Sequence, residues 1–402
     1  MKTNPLDDTV SQQYERWIYP EPITDLPSWL SNNWQWFDPS HAHRLFWPDR
    51  DYQPDLEILI AGCGTNQAAV FAYNNPGAHV TAIDISSSSL KHHQFLKEKY
   101  GLKNLDLHRL PIEEIRTLGN DYDLIVSTGV LHHLADPNTG LQALAQCLRA
   151  GGVAAIMLYA RYGRIGVEML QGIFRDLNLQ QDESSLEIAR SAIALLPDDH
   201  PIRSYINIAP DLRYDAGLVD TFLHGRDRSY TVQDCLDLVA SAGLEFQDWF
   251  MKTPYEPPTD KGNPLLAAIA SLSKEKQWAA MERINHRNAC HFFMACKPER
   301  PPESYKPGDS EKQLLDSIPF YRYRCGTKDS KIFRPGLSLN LDQQQQALLR
   351  QIDGKLTIRE IIELIQPQPA EPASSNQSAI FLIKQLIQLA NKDFIGLGLQ
   401  PA

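Results

Sequence analysis

The residues with the clearest chemical meaning stand in "ILIAGCGTNQ", residues 58–67. An apolar run ends at Ala61 and meets Gly62, Cys63 and Gly64. Two glycines so placed let the chain turn sharply and let a ligand reach backbone that a Cβ would shield. The first N–H groups of a following helix have no partners within it and can meet a polar ligand. Asp84 follows 20 residues after Gly64. At the end of the next strand, its carboxylate can accept hydrogen bonds from both hydroxyls of a ribose. Turn and acid together describe a nucleoside site. A dinucleotide fingerprint requires a third glycine or alanine where Gln67 stands, which argues against that class. Asn66 is expected to keep the loop in shape, because asparagine enters left-handed backbone conformations more readily than most residues. Three further groups carry chemistry: the pair His132-His133, Tyr159 with Arg161 and Tyr162, and Tyr14 with Trp17. Of the two histidines, His133 reads as a packing residue and His132 as the candidate for contact with a second substrate. No third ligand accompanies the pair and adjacent histidines point apart on a helix, so no metal site is expected.

Alternating elements must hold these groups in place. Strands are expected over Leu56–Ala61, His79–Ile85, Leu105–His108, Tyr122–Thr128 and Val153–Tyr159. Helices are expected over Asn66–Tyr73, Ser86–Tyr100 with Ser86 as N-cap, and Asp136–Leu148 with Gly151-Gly152 as its stop. This rhythm predicts an α/β, doubly wound, mostly parallel sheet with helices on both faces. Residues 161–230 break the rhythm and read as a helical insert. A helix over Tyr230–Ala242 and strands over Leu244–Met251 and His291–Cys296 resume it.

The chain has 402 residues, enough for two or three domains. Residues 1–50 hold five of the seven tryptophans and form an aromatic arm, either a structural clasp or a lid. Residues 51–298 form the main domain. The proline-rich stretch 297–310 contains the linker, placed at 299–310. Residues 311–402 form a small unit, winged-helix-like in its helices followed by a short strand. Thr357 and Glu360 there make a capping-box signature, and "QPQPAEPASSNQS" reads as a flexible break. A net charge of −10 excludes a generally basic surface for nucleic acid or anionic membrane. Residues 311–402 hold 11 basic and 9 acidic residues, too mild a balance to argue DNA binding. Six cysteines without CxxC spacing fit reduced thiols in the cytoplasm. The first residues lack the apolar core of a signal peptide, and the longest apolar run, Val153–Ala160, is too short for membrane insertion.

In their order, "ILIAGCGTN", "VTAIDIS", "LPIEEI", "YDLIVSTGVLHHLADP" and "LRAGGVAAIMLY" resemble the class I S-adenosylmethionine-dependent methyltransferases. The resemblance covers about residues 55–160. It implies a Rossmann-like fold and S-adenosylmethionine as cofactor, lined by Ala61, Gly62, Cys63, Gly64, Asn66, Asp84, Ile85, Ile112, Glu113, Thr128 and Gly129. It implies His132, Tyr159 and Tyr14 as candidates for catalysis beside the acceptor. The chain departs from the family at Ile60, where an acid is frequent, at Asn66, where glycine is frequent, and at Leu110-Pro111, where an acid commonly contacts adenine. The wider layout, "QYERWIYPEP" then "HAHRLFWPDR" then "IAGCGTNQAA", resembles the cyanobacterial asparagine N-methyltransferases of phycobiliprotein β-subunits. That resemblance implies a protein acceptor. A small-molecule methyltransferase and a non-catalytic cofactor-sensing regulator are the alternatives.

Overall fold

The computed structural model describes residues 5–6, 8–258, 262–308, 310–365 and 372–400. The chain folds as two compact units. The first comprises Met1–Phe37, Pro54–Asp248 and Glu282–Glu299, and the second Asp38–Gln53, Trp249–Met281 and Arg300–Ala402.

The first unit is built on seven strands: β1 (Glu57–Ala61), β2 (His79–Asp84), β3 (Leu105–Arg109), β4 (Tyr122–Thr128), β5 (Leu148–Tyr159), β6 (Glu245–Trp249) and β7 (Cys290–Cys296). Their order is β3-β2-β1-β4-β5-β7-β6. The pairs β1/β2, β2/β3, β1/β4 and β4/β5 are parallel, and β5/β7 is antiparallel. This is the mostly parallel Rossmann-like sheet that the alternation predicts. Ile58, Leu59 and Ile60 are fully buried, as both faces of a covered parallel strand require. Helix Ser87–Tyr100 starts at Ser86, whose hydroxyl accepts the Ser89 N–H at 3.1 Å. The order reverses between β1 and β4, so a crevice opens beyond their carboxyl ends, where such sheets take ligands.

Most boundaries fall within one or two residues of expectation, and two places are built differently. The helix expected to reach Leu148 ends at Gln146, and β5 begins at Leu148 rather than Val153. Leu148 pairs with Tyr122, and the register then shifts before Leu124 meets Val153. Gly151-Gly152 therefore lie in an irregular stretch of strand, not in a helix stop. The other difference is Asn66. Its φ and ψ are −130° and −37°, outside the left-handed region, and it stands just before helix Gln67–Asn74 without a side-chain cap bond.

The insert forms helices Ile165–Asp176, Glu183–Leu195, Ile202–Ile206 and Asp215–Phe222 around a core that includes Leu170, Phe174, Ile202, Val219 and Phe222. It leaves and rejoins the sheet at one place. Tyr230 donates its N–H to the Tyr159 carbonyl at 2.8 Å, and Arg161 donates to Tyr230 at 2.8 Å. Residues just before Tyr230 are thereby returned to the end of β5.

The second unit holds the antiparallel sheet β9 (Gly326–Lys328), β10 (Lys331–Arg334) and β11 (Leu337–Asn340), and the pair β8 (Ile318–Tyr321) with β12 (Ile395–Gly398). Helices Gln343–Leu349, Ile358–Ile365 and Pro372–Asn391 share its core. The Thr357–Glu360 box is formed: Thr357 N–H donates to Glu360 Oε2 at 2.8 Å and Glu360 N–H to Thr357 Oγ1 at 3.2 Å. The expected break at 366–378 lies outside the described residues through 371. From Pro372 the chain is helical. The proline-rich stretch is packed, with Arg300 and Tyr305 buried and the Arg300 guanidinium donating to the Phe46 carbonyl at 2.9 Å. Among the described residues, no helix is long and apolar enough to cross a membrane.

Candidate functional site

A cavity of about 300 Å³ opens at the carboxyl ends of β1, β2 and β4. Its floor is the turn after β1. Gly62 and Gly64 sit at φ +79° and +52°, where only glycine is unstrained. A Cβ on Gly62 would fall 2.7 Å from Val130 Cγ1 and closer still to Cγ2, so the backbone itself is the wall. Asp84 ends β2 and braces the turn: Oδ2 accepts the Gly64 N–H and Oδ1 the Ser86 N–H, both at 2.8 Å. Burial pushes its carboxyl up to about 6, against the lowering effect of these backbone donors. Each Asp84 oxygen has lone-pair capacity beyond its one backbone donor. Ile85, Leu110, Pro111 and Ile112 make an apolar wall, and Glu113 lines the same end. Glu113 Oε2 is buried with no donor. Thr128 ends β4 and Gly129 follows it, and Gln67 Nε2 donates to Thr128 Oγ1 at 3.1 Å.

Gly62, Cys63, Gly64, Asp84, Ile85, Ile112, Glu113, Thr128, Gly129, Tyr14 and Tyr159 thus line one cavity. Three sequence candidates do not. Ala61 is fully buried within β1. Asn66 faces the N-terminal arm: Oδ1 accepts the Ile23 N–H and Nδ2 donates to the Glu21 carbonyl, each at 2.8 Å. Thr65 Oγ1 adds a bond to the Pro20 carbonyl at 2.7 Å. Asparagine replaces the frequent glycine because it clasps the arm, whose Tyr14, Tyr19 and Pro20 wall the cavity. His132 is the third. It is 1% exposed and stacks on the Tyr159 ring at 3.9 Å, behind the cavity wall. Burial and the neighbouring His133 hold its pKa well below the usual range, so it is neutral.

The histidine that reaches the cavity is His133. Its Nδ1 lies 2.8 Å from the Arg226 carbonyl, an acceptor only, so Nδ1 carries the proton and Nε2 is bare. That Nε2 is buried without a partner. The insert supplies the rest. Asp220, 2% exposed, accepts from Tyr14 Oη at 2.8 Å and from Tyr159 Oη at 3.2 Å. Burial raises the pKa of Asp220, and burial with the nearby Asp220 charge raises those of both tyrosines, so the hydroxyls stay protonated donors. His224 stacks on His133 at 3.8 Å and accepts the Arg226 N–H on Nδ1 at 2.9 Å, which puts its proton on Nε2. Behind them Arg164, 0% exposed, lies 3.6 Å over the Tyr159 ring and pairs with Asp227 Oδ2 at 2.9 Å.

Contrary to the sequence expectation, a third ligand does stand with the histidine pair, since His132, His133 and Asp227 offer ligand atoms within 4.8 Å of one another, and so do His133, Asp220 and His224. The His133 and His224 rings are inclined by only 18°. Imidazole lone pairs lie in the ring plane, so those of two stacked rings do not converge on one ion, and His224 Nε2 carries a proton. The cluster suits proton and hydrogen-bond chemistry better than a metal. Asp220, His224 and Arg226 had no signal in the sequence, since Asp220 lies 61 residues from Tyr159 and Arg226 lies 93 from the His133 that it and His224 hold. Gln67 was visible, but only as a missing glycine.

Residues 59–154 match a family model described as a methyltransferase domain. An uncharacterized protein of Synechococcus sp. is 28% identical over 371 residues, covering 88% of each chain. The malonyl-[acyl-carrier protein] O-methyltransferase of Acetivibrio thermocellus is 30% identical over 112 residues, which is 28% of this chain and 38% of that enzyme. The match thus spans well under half of the length of that enzyme. The structure of PKMT2 from Rickettsia typhi in complex with AdoHcy superposes with TM-score 0.65 at 13% identity, covering 91% of this chain and 76% of that one. At that identity the likeness is one of fold.

Proposed function

From a methyltransferase domain with the class I fold, we propose that this chain transfers the methyl group of S-adenosylmethionine to a nitrogen of a protein side chain. The observation that carries the donor half is the set of unfilled groups around one cavity. Gly62 and Gly64 line its floor without side chains, their N–H groups already bonded to the Ile83 carbonyl and Asp84. Asp84 keeps acceptor capacity for the ribose hydroxyls. The donorless Glu113 Oε2 suits the adenine amine, beside the apolar wall of Ile85 and Ile112. The bound cofactor supplies an electrophilic methyl on a sulfonium. The chain's residues hold it in line with the acceptor and exclude water, and alignment of this kind supplies a large part of such a rate.

The acceptor half rests on the far end of the cavity. Asp220 and His133 Nε2 are hydrogen-bond acceptors, and no cationic group among the described lining residues is unpaired, since Arg226 bonds Asp8 at 3.1 Å. Such a site favours a group that donates N–H. An asparagine amide, as on a phycobiliprotein β-subunit, is the specific form suggested by the sequence layout. Its NH₂ is a poor nucleophile, because its lone pair is delocalised, and needs acceptors to orient it. A second reading has its own support: the insert and arm wall in the cavity, which also suits a small-molecule acceptor.

The test is transfer of tritiated methyl from S-adenosylmethionine into a lysate of the source organism lacking this gene, with purified phycobiliprotein as a separate substrate. Label in discrete protein bands supports a protein acceptor, and mass spectrometry then locates the atom. Label confined to small molecules would establish the second reading.

A further inference from the structure

We propose that His133, through the bare Nε2 of a ring whose tautomer is fixed by the Arg226 carbonyl, is the catalytic residue that takes the acceptor's proton. This inference rests on the methyl-transfer reading above.

Three observations point to it. First, the bond from Nδ1 to Arg226 O at 2.8 Å leaves Nε2 as an acceptor, and Nε2 is buried with no partner. Leaving a buried acceptor unpaired costs about 1–3 kcal/mol, so its retention on a cavity wall calls for a use. Second, the ring is held by its neighbours. His224 stacks on it, and His132 meets it edge-on with centroids 4.3 Å apart. Of its two nitrogens, Nδ1 is taken by the Arg226 carbonyl and Nε2 is left for a ligand. Third, a counter-charge is in place. Asp227 Oδ1 lies 4.0 Å from Nδ1 and has no hydrogen-bond partner, while Oδ2 is pinned by Arg164 at 2.9 Å and Gln171 at 2.8 Å. A buried carboxylate in that position stabilises an imidazolium that forms during the reaction. Asp220 stands beside His133, with ligand atoms within 4.8 Å, and its oxygens accept from Tyr14 and Tyr159, so it orients the acceptor and His133 takes the proton.

The step balances. The acceptor nitrogen's lone pair forms the N–CH₃ bond. The S–CH₃ bond breaks with its pair staying on sulfur, which becomes a neutral thioether. The proton lost by nitrogen passes to His133 Nε2. The resulting charge is shared with the Arg226 carbonyl and Asp227, and the proton leaves to water after product release.

The decisive variant is His133→Asn. Its side-chain amide can still donate to the Arg226 carbonyl from the position of Nδ1, but nothing stands at Nε2. With tritiated S-adenosylmethionine and the protein fraction of the gene-deleted lysate, we expect initial labelling rates to fall at least about 100-fold, the usual contribution of a general base. Binding of S-adenosylhomocysteine by calorimetry should change less than about threefold, and the thermal melt should be kept. His133→Phe, which keeps the stack, should lose the same activity, and added imidazole should restore part of the rate to His133→Gly. An Asn variant with more than about a third of wild-type labelling would overturn the proposal. So would parallel loss of S-adenosylhomocysteine binding, which would make His133 a structural support. If wild-type protein labels nothing in any fraction, the methyl-transfer reading fails instead, and the two failures are distinct.

Discussion

Replacing Gly62 by alanine tests whether the turn after β1 is as closely built as its geometry says. Two costs can be separated. Holding alanine at φ +79° costs roughly 1–2 kcal/mol, because a Cβ crowds its own backbone in the left-handed region. The new methyl would also lie 2.7 Å from Val130 Cγ1, 3.0 Å from Cβ, and nearest to Cγ2. Overpacking of this kind adds about 1–3 kcal/mol. The sum is about 2–5 kcal/mol, a large part of the stability of an ordinary domain. The assay is urea unfolding followed by tryptophan fluorescence, with S-adenosylhomocysteine affinity measured in parallel. Val130→Ala separates the costs, since it deletes both γ-carbons. Val130 is only half-buried, so that change alone should cost less than about 1 kcal/mol. In the double variant the part of the overpacking cost due to the γ-carbons should be recovered, while the backbone cost and the 3.0 Å contact with Cβ remain, a coupling of about 1–3 kcal/mol. A Gly62→Ala protein as stable as wild type would refute the strained turn. A destabilised one that Val130→Ala does not relieve would refute the contact.

Three other outcomes follow from the site. Asp84→Asn should weaken S-adenosylhomocysteine binding at least about tenfold. In wild type the affinity should rise as pH increases through about 6, where the Asp84 carboxyl ionises and becomes a full acceptor for ribose hydroxyls. That pH dependence should vanish in the Asn variant, as read by calorimetry from pH 5 to 8. Asn66→Ala removes both clasp bonds, to Ile23 N and Glu21 O. It leaves one of each buried pair unsatisfied and should cost about 1–3 kcal/mol while opening residues 17–25 to limited proteolysis. His132→Phe should preserve the stack on Tyr159 and keep methyl transfer within about threefold of wild type. A loss of 100-fold would return His132 to the chemistry.

Much of the cofactor half was written locally. The strand, glycine turn, helix and next strand lie within about 30 residues, and each is set by short-range physics: buried apolar runs, the conformational freedom of Gly62 and Gly64, and the Ser86 cap. Asp84 falls at the cavity because the β2 strand that carries it pairs with β1 in register, Ala61 beside Ile83. Boundaries were less legible where pairing overrode propensity. Gly151-Gly152 looked like a helix stop, yet Leu148 was drawn into β5 by Tyr122.

The acceptor half was decided by tertiary structure alone. No periodicity links Tyr14 to Asp220, 206 residues apart, or His133 to Arg226, 93 apart. Choosing between His132 and His133 was beyond the sequence for the same reason. Their rings pack edge-on, with centroids 4.3 Å apart, and which one faces the cavity depends on what fills the space behind. Tyr159 and Arg164 fill it here, so His132 is packed away and His133 is turned to the cavity. The residue types that bind a nucleoside recur at fixed spacing because one βαβ unit makes the site. The residues that meet the acceptor come from the arm, the sheet and the insert, and only the closed fold brings them to one point.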